Sequence, residues 1–390
     1  MERVESPARP DWQAKLEEIG LTYHSGGMEP TSGSDGGLWW HEASHWRFTS
    51  AEVNALDDAT VELHARCLDA VDHLVNREPA LLREVFHLSD WFTDYVKRSW
   101  KRRDPALMGR MDLAFDDSTG AVKLLEYNAD TPTLAIETAI AQWVWVQETH
   151  PGADQFNSLH EKLLARFTAL APLLNGQPLH FAAFEESAEE WAHSTYYRDL
   201  AQQAGIATLG IDLNRIGWNG RHFVDEAAAR IHFLHKLYPW EWMIRDHFGP
   251  YLANDTCGVL EPPWKALLSD KAILAVLWRI FPNHPNLLET VPGRVRVNGG
   301  NCVHKPCLGR EGANIALLRQ GLTMATTDGP YAPEEARFVT QALARLPQRA
   351  GWNAVIGAWV VGDEAAGIIL RESQAAILRD TSRVVPHLFT

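Results

Sequence analysis

The chain has 390 residues, 46 % of them hydrophobic and 22 % charged, enough apolar side chains for a sizeable core and, from length alone, two or three domains. Its formal net charge of -14 is the opposite of the basic stripe that a nucleic-acid-binding surface needs. No apolar run is long enough to span a membrane, and the N-terminus lacks the apolar segment of a signal peptide. The four cysteines (Cys67, Cys257, Cys302, Cys307) are scattered without metal-ligand spacing, which predicts reduced thiols in a cytoplasmic protein.

In chain order, residues 1–10 read as a loose tail and 11–20 as a helix closed by Gly20. The glycine- and serine-rich stretch 25–37 reads as a surface loop or a substrate-covering lid. Residues 50–75 keep helical spacing through Leu56, Leu63, Cys67 and Val71, with Ser50 as the predicted cap. Further helices are predicted at 79–85, 90–100 and 133–147. Between the last two, 109–115 and 122–128 alternate in polarity around a polar turn and predict a β-hairpin. From 175 to 255 strand-like and helical runs alternate, as in a small α/β layer unit: strand 179–184, helix 188–205, strand 208–212. A helix at 264–281 follows, and then strands at 294–305, 338–343, 353–361 and 364–370, expected to form one antiparallel sheet.

Residues two apart in a strand share a face, so Arg110 lies with Asp112, and Glu126 with Asn128 on the partner strand. Two carboxylates and an amide carbonyl are oxygen ligands suited to a hard cation such as magnesium, and an arginine beside them suits phosphoryl charge. A salt-bridge ladder across a hairpin explains the same spacing and is the commoner cause of it. Lys305 precedes the small-residue loop 306–314, a shape that can close over phosphate but that is also an ordinary turn. Lys271 and the pair Arg371-Glu372 read alone as a solvated helix lysine and a strand-end charge pair. No nucleophile elbow, HExxH arrangement or dinucleotide fingerprint is present.

Longer stretches are more specific. GRMDLAFDDSTGAVKLLEYNADTPT (109–133) resembles the glutathionylspermidine synthase family, whose synthetase domain has an ATP-grasp fold. QFNSLHEKL (155–163), LYPWEWM (237–243), EPPWKALLSDKAILAVLW (261–278), KPCLGREGAN (305–314), DGPY (328–331) and IGAWVVGDEAAGI (356–368) continue the resemblance in family order over nearly the whole chain.

The resemblance implies an α+β protein with a permuted ATP-grasp fold and an inserted small α/β layer unit resembling a pre-ATP-grasp domain. It divides the chain at 1–174, with the metal-binding hairpin, 175–255, the substrate side, and 256–390, the nucleotide side. It implies an ATP- and Mg²⁺-dependent ligase joining a peptide-like acid such as glutathione to an amine through an acyl phosphate. Asp112, Glu126 and Asn128 match the metal ligands, and Arg110 and Arg371 match phosphate-facing arginines. Lys271 and Lys305 match ATP lysines, Gly309, Gly312 and Asn314 belong to the phosphate-covering loop, and Gln341 falls near the adenine hinge. Thr131 and Thr133 match the thiol tripeptide site, and Glu189 and Glu190 an acidic pair at the substrate site. The amidase half of bifunctional members is not expected here. Arg383 falls where those members carry an aspartate that holds the polyamine, and an arginine would repel a cationic amine, although Asp380 lies close by. The alternatives are a ligase for a different peptide acid and amine, or a nucleotide- or glutathione-binding protein of the same fold without turnover.

Overall fold

A computed structural model describes residues 1–25, 38–331 and 336–390. Most of the glycine-rich stretch 25–37, with its predicted lid, lies outside the described residues.

The hairpin forms where alternation predicts it, from the antiparallel strands Met108–Asp116 and Ala121–Asn128. Its turn is held by Asp116, whose carboxylate accepts the Ser118 N–H at 3.0 Å, and by Gly120 at φ 73°. Met108–Asp116 then pairs on its other side with Trp352–Val361, which pairs with Glu364–Ser373 and through it with Arg383–Val385. The helix Ser50–Asn76 packs its apolar side, including Leu56, Leu63 and Leu74, under this six-stranded sheet. Its cap is Thr49 rather than Ser50: Thr49 and Glu52 exchange hydrogen bonds in a capping box, which only Thr49 is spaced to make.

The strands of the last third do not form one sheet. Cys302–Pro306 and Phe338–Ala342 pair with each other in a separate five-stranded sheet with Thr290–Pro292, Ala316–Arg319 and Leu322–Thr326. Trp352–Val361 is buried along nearly its whole length and needs a partner on each edge, which the hairpin supplies. The predicted strand 294–305 begins only at Cys302, because Asn298, Gly299 and Gly300 all take positive φ and turn the chain. The tail is ordered too, with Glu2–Glu5 pairing with Ser44–Phe48.

The predicted helix 264–281 is interrupted at Asp270, which is extended and whose carboxylate accepts the Ala272 N–H at 2.9 Å. Asp270 thereby starts a new helix, Ala272–Ile280, and Lys271 sits at its entrance. In the middle section Gly258–Leu260, Phe233–Lys236, Leu179–Ala183 and Thr208–Asp212 form a parallel sheet in that order, with the helix Ala188–Gln203 following Leu179–Ala183. The chain is thus a mixed α/β protein with several sheets. No helix among the described residues is long and apolar enough to cross a membrane.

Candidate active site

The carboxyl ends of the parallel strands, the hairpin and the five-stranded sheet converge on a cavity of about 880 Å³. Arg110 and Asn128 are cross-strand partners, as are Asp112 and Glu126, so the four side chains predicted to share a face do share it. Arg110 Nε lies 3.5 Å from Asp112 Oδ1, and Lys271 Nζ lies 3.3 Å from Glu126 Oε2. Burial pushes the Asp112 carboxyl above the usual range, with Arg110 opposing and Glu126 adding to the rise. Burial acts on Glu126 too, but Lys271 and Lys305 outweigh it and hold that carboxyl below the usual range. No group of three or more His, Cys, Asp or Glu side chains among the described residues could hold a metal ion. The predicted set has only two carboxylates with an amide, so other oxygens would have to complete a magnesium shell.

Lys305 comes from the five-stranded sheet and reaches the hairpin. Its Nζ donates to the Leu125 carbonyl at 3.0 Å and to Gln341 Oε1 at 2.7 Å, while Gln341 Nε2 donates to the Leu124 carbonyl at 3.1 Å. Gln341 thus holds the lysine against the hairpin. Burial pushes Lys305 down to about 8, opposed by Glu126 and helped by Lys271. Lys271 Nζ also donates to the Gly309 carbonyl at 2.6 Å, tying the small-residue loop to the helix entrance.

Arg110 and Arg371 each carry a buried Nε with no hydrogen-bond partner. Arg110 Nη1 donates to the Thr133 carbonyl and Arg371 Nη2 to the Arg379 carbonyl. Burial lowers the Arg371 pKa, with Asp112 opposing and Arg110 reinforcing. Gly357, the cross-strand partner of Asp112, makes room for Arg110: a Cβ there would lie 3.0 Å from Arg110 Cδ.

On the substrate side Thr131, Thr133, Glu189 and Glu190 line the same cavity, as do Gly309 and Gly312. Burial raises both Glu189 and Glu190. Asn314 alone of the predicted residues does not line it, its side-chain Oδ1 accepting the Tyr331 N–H at 3.1 Å. Arg383 is not among the lining residues either. Its Nε donates to the buried Glu372 at 2.8 Å and its guanidinium lies 3.5 Å from the centre of the Trp352 ring, so the expected repulsion of a cationic amine is countered by its own partner. Asp380 does line the cavity.

Among the lining residues that sequence reasoning passed over are Arg310, Glu241, Tyr23 and Trp39. Arg310, inside the loop motif, donates to Glu241 at 2.6 Å and to Thr131 Oγ1 at 3.2 Å, closing the loop against the substrate side. Both charges stand in motifs of the resemblance, a signal that was available. Tyr23 and Trp39 flank the glycine-rich stretch, and nothing local marks them.

A family model described as glutathionylspermidine synthase preATP-grasp matches residues 3–390. A Haemophilus influenzae protein whose name assigns it, provisionally, as an acid–amine ligase is 35 % identical over 402 residues, covering 100 % of both chains. The trypanothione synthetase of Crithidia fasciculata is 25 % identical over 349 residues, 81 % of this chain and 52 % of that protein. The bifunctional glutathionylspermidine synthetase/amidase of Escherichia coli is 26 % identical over 371 residues, 88 % of this chain and 58 % of its own. The chain therefore spans the whole of the first relative and little more than half of the other two. Matched almost from end to end, it belongs to the glutathionylspermidine synthase family and is a ligase of the acid–amine (C–N) class.

Proposed function

We propose that this chain joins a peptide-like acid to an amine in a reaction driven by ATP with Mg²⁺, and that the cavity described above houses it. The observation that carries the reading is the pair of buried Nε atoms of Arg110 and Arg371, neither of them hydrogen-bonded, in the cavity that Asp112 and Glu126 share. Buried donors without acceptors are costly and suit an anion that supplies them. Arg110, Arg371, Lys271 and Lys305 stand beside Asp112 and Glu126 in this part of the cavity, cationic groups that phosphate oxygens could engage. The residues present fit Mg²⁺ and ATP on these grounds.

In this reading Asp112, Glu126 and Asn128 hold the cation and Lys271 and Lys305 hold phosphate oxygens. Bound MgATP supplies the phosphoryl group that activates the acid's carboxylate. Arg110 and Arg371 present fixed positive charge where negative charge develops, without reorganising. The loop bearing Gly309, Gly312 and Asn314, clasped by Arg310 to Glu241, excludes the water that would compete with the amine. Thr131 and Thr133 lie on the acid's side, and Glu189 and Glu190 on the side of a cationic amine. Residues 175–255 are then the substrate side of a permuted ATP-grasp arrangement whose nucleotide side joins the hairpin to 256–390.

Glutathione and spermidine, the substrates that the relatives' names carry, are the first acid and amine to try. The test is ADP release with product mass: release that needs both an acid and an amine supports the ligase. ATP binding with no substrate-stimulated turnover across a panel of acids and amines would sink it.

A further inference from the structure

Behind the substrate side lies a carboxylate that is not among the residues lining the cavity. Glu137 opens the π-helical turn Glu137–Ala141 and is fully buried, which for a charged group is costly unless neighbours compensate. Its Oε1 accepts the Trp39 indole N–H at 2.7 Å and the Tyr23 hydroxyl at 3.2 Å. Its Oε2 has no hydrogen-bond partner and lies 3.5 Å from His193 Nε2. His193, also fully buried, contacts the Glu189 carbonyl through Nδ1 at 2.8 Å, and its Nε2 receives the Ala135 N–H at 3.0 Å. One proton decides which Nε2 contact is a hydrogen bond: the neutral ring takes Ala135's hydrogen, whereas the protonated ring gives its own to Glu137.

The groups tied to this hub are the ones that face the cavity. Tyr23, Trp39 and Glu189 line it, while Glu137 and His193 do not. Trp39 in turn lies beneath Arg371, whose guanidinium carbon is 6.0 Å from the ring centre. An apolar residue would fill the space of Glu137 at lower cost, but could not hold an indole and a phenol by their polar ends.

We propose that Glu137 is a positioning residue that sets the substrate-side wall, holding Trp39 and Tyr23 on one flank and, through His193, the helix turn that carries Glu189 on the other. The proposal rests on reading the cavity as a ligase site. The wall pairs aromatic faces with a carboxylate, a surface for the chain of one of the two co-substrates rather than for the nucleotide.

The test compares Glu137→Ala, Glu137→Gln and Trp39→Phe with the parent in steady-state kinetics and in NMR of the Trp39 indole N–H, assigned by its loss in Trp39→Phe. Glu137→Ala is expected to raise the KM of the acid or the amine by about tenfold, the effect of losing hydrogen bonds to a charged acceptor. The KM for ATP stays near the parent's, Glu137→Gln recovers part of the loss through its amide oxygen, and the indole signal moves upfield in Glu137→Ala. Parental KM values in Glu137→Ala, or a fall in folded protein alone with an unmoved indole signal, would overturn the proposal. If Glu137→Ala does not fold, Glu137→Gln and Trp39→Phe decide it by the same split between co-substrate and ATP. If the parent turns over no acid and amine, the ligase reading fails separately, and the wall is judged by whether glutathione or spermidine shifts the Trp39 signal. A shift in the parent that is lost in Glu137→Gln supports it, and no shift in the parent, or an equal one in both, overturns it.

Discussion

Asp112 and Glu126 face each other directly across the hairpin, and the pairing slips by one residue immediately after them. The bulge leaves Leu125 without a partner opposite, and its carbonyl is the one that Lys305 reaches from another sheet. Two carboxylates and a lysine are thereby held together by backbone geometry. This arrangement generates the first two expectations.

Glu126→Ala and Asp112→Asn should each lower turnover by about 100-fold or more, the usual cost of removing one preorganised group at developing charge. Asp112→Asn should leave thermal unfolding near the parent's, because burial already disfavours its charge, whereas Glu126→Ala should lower it by removing the carboxylate that faces Lys271 and Lys305. Activity equal to the parent's in either variant would remove that residue from the proposed metal set.

Lys305 should make nucleotide binding depend on pH. Its pKa of about 8 lies below the ordinary 10.5, so the protein without nucleotide loses this charge as pH rises past 8. The ATP dissociation constant is then expected to rise above pH 8, and the step to disappear in Lys305→Met. For stability the sign is opposite. The unfolded chain holds this proton more tightly, so the group opposes folding below pH 8 and the penalty fades between about 8 and 10.5. Equilibrium binding from pH 6.5 to 9.5 (about three units spanning that pKa) reads the first effect, and a flat profile would exclude Lys305 from the phosphate site.

Asp130 and Lys236 form a fully buried ion pair between the end of the hairpin and the parallel sheet, with Asp130 also accepting the Trp240 N–H at 2.7 Å. Lys236→Met should cost about 3–5 kcal/mol in urea unfolding by leaving a carboxylate buried and unpaired. Lys236→Met with Asp130→Asn should recover part of it. A single variant within 1 kcal/mol of the parent, roughly the scale of an exposed pair, would mean that the site admits water.

Arg310 and Glu241 hold the loop against the substrate side at 2.6 Å. Glu241→Gln should let trypsin cut after Arg310 about fivefold faster, the effect of roughly 1 kcal/mol on loop opening. Gly312→Ala should open the loop by another route. Its φ of 70° strains any side chain, and a Cβ there would sit 2.1 Å from the Leu378 carbonyl oxygen. Cleavage at the parental rate in Glu241→Gln would show that the pair does not hold the loop down.

Local pattern was enough for several elements. The hairpin shows in period-two alternation around a polar turn, and the Ser50–Asn76 helix in its apolar stripe. The same reasoning overran Asp270, because an unbroken apolar run outweighed one capping residue whose effect depends on the hydrogen bond its carboxylate makes. It overran 294–301 as well, where three consecutive positive φ values decide the course of the chain. Arg383 shows the limit most directly: its charge predicts repulsion of an amine, and only Glu372 and Trp352, brought to it by sheet pairing and packing, reveal where that charge is spent.

By itself, then, the sequence determined which residues share a hairpin face, where the long helices run, and which family the ordered motifs resemble. These properties depend on neighbours a few positions apart. Only the tertiary structure decided that Lys305 meets Leu125 from 180 residues away, that Trp39 hangs on Glu137 from 98 away, and that Arg310 closes on Glu241. Such contacts are set by how sheets and helices bury their apolar faces together, and no periodicity along the chain encodes which distant polar groups that packing will bring within hydrogen-bonding reach.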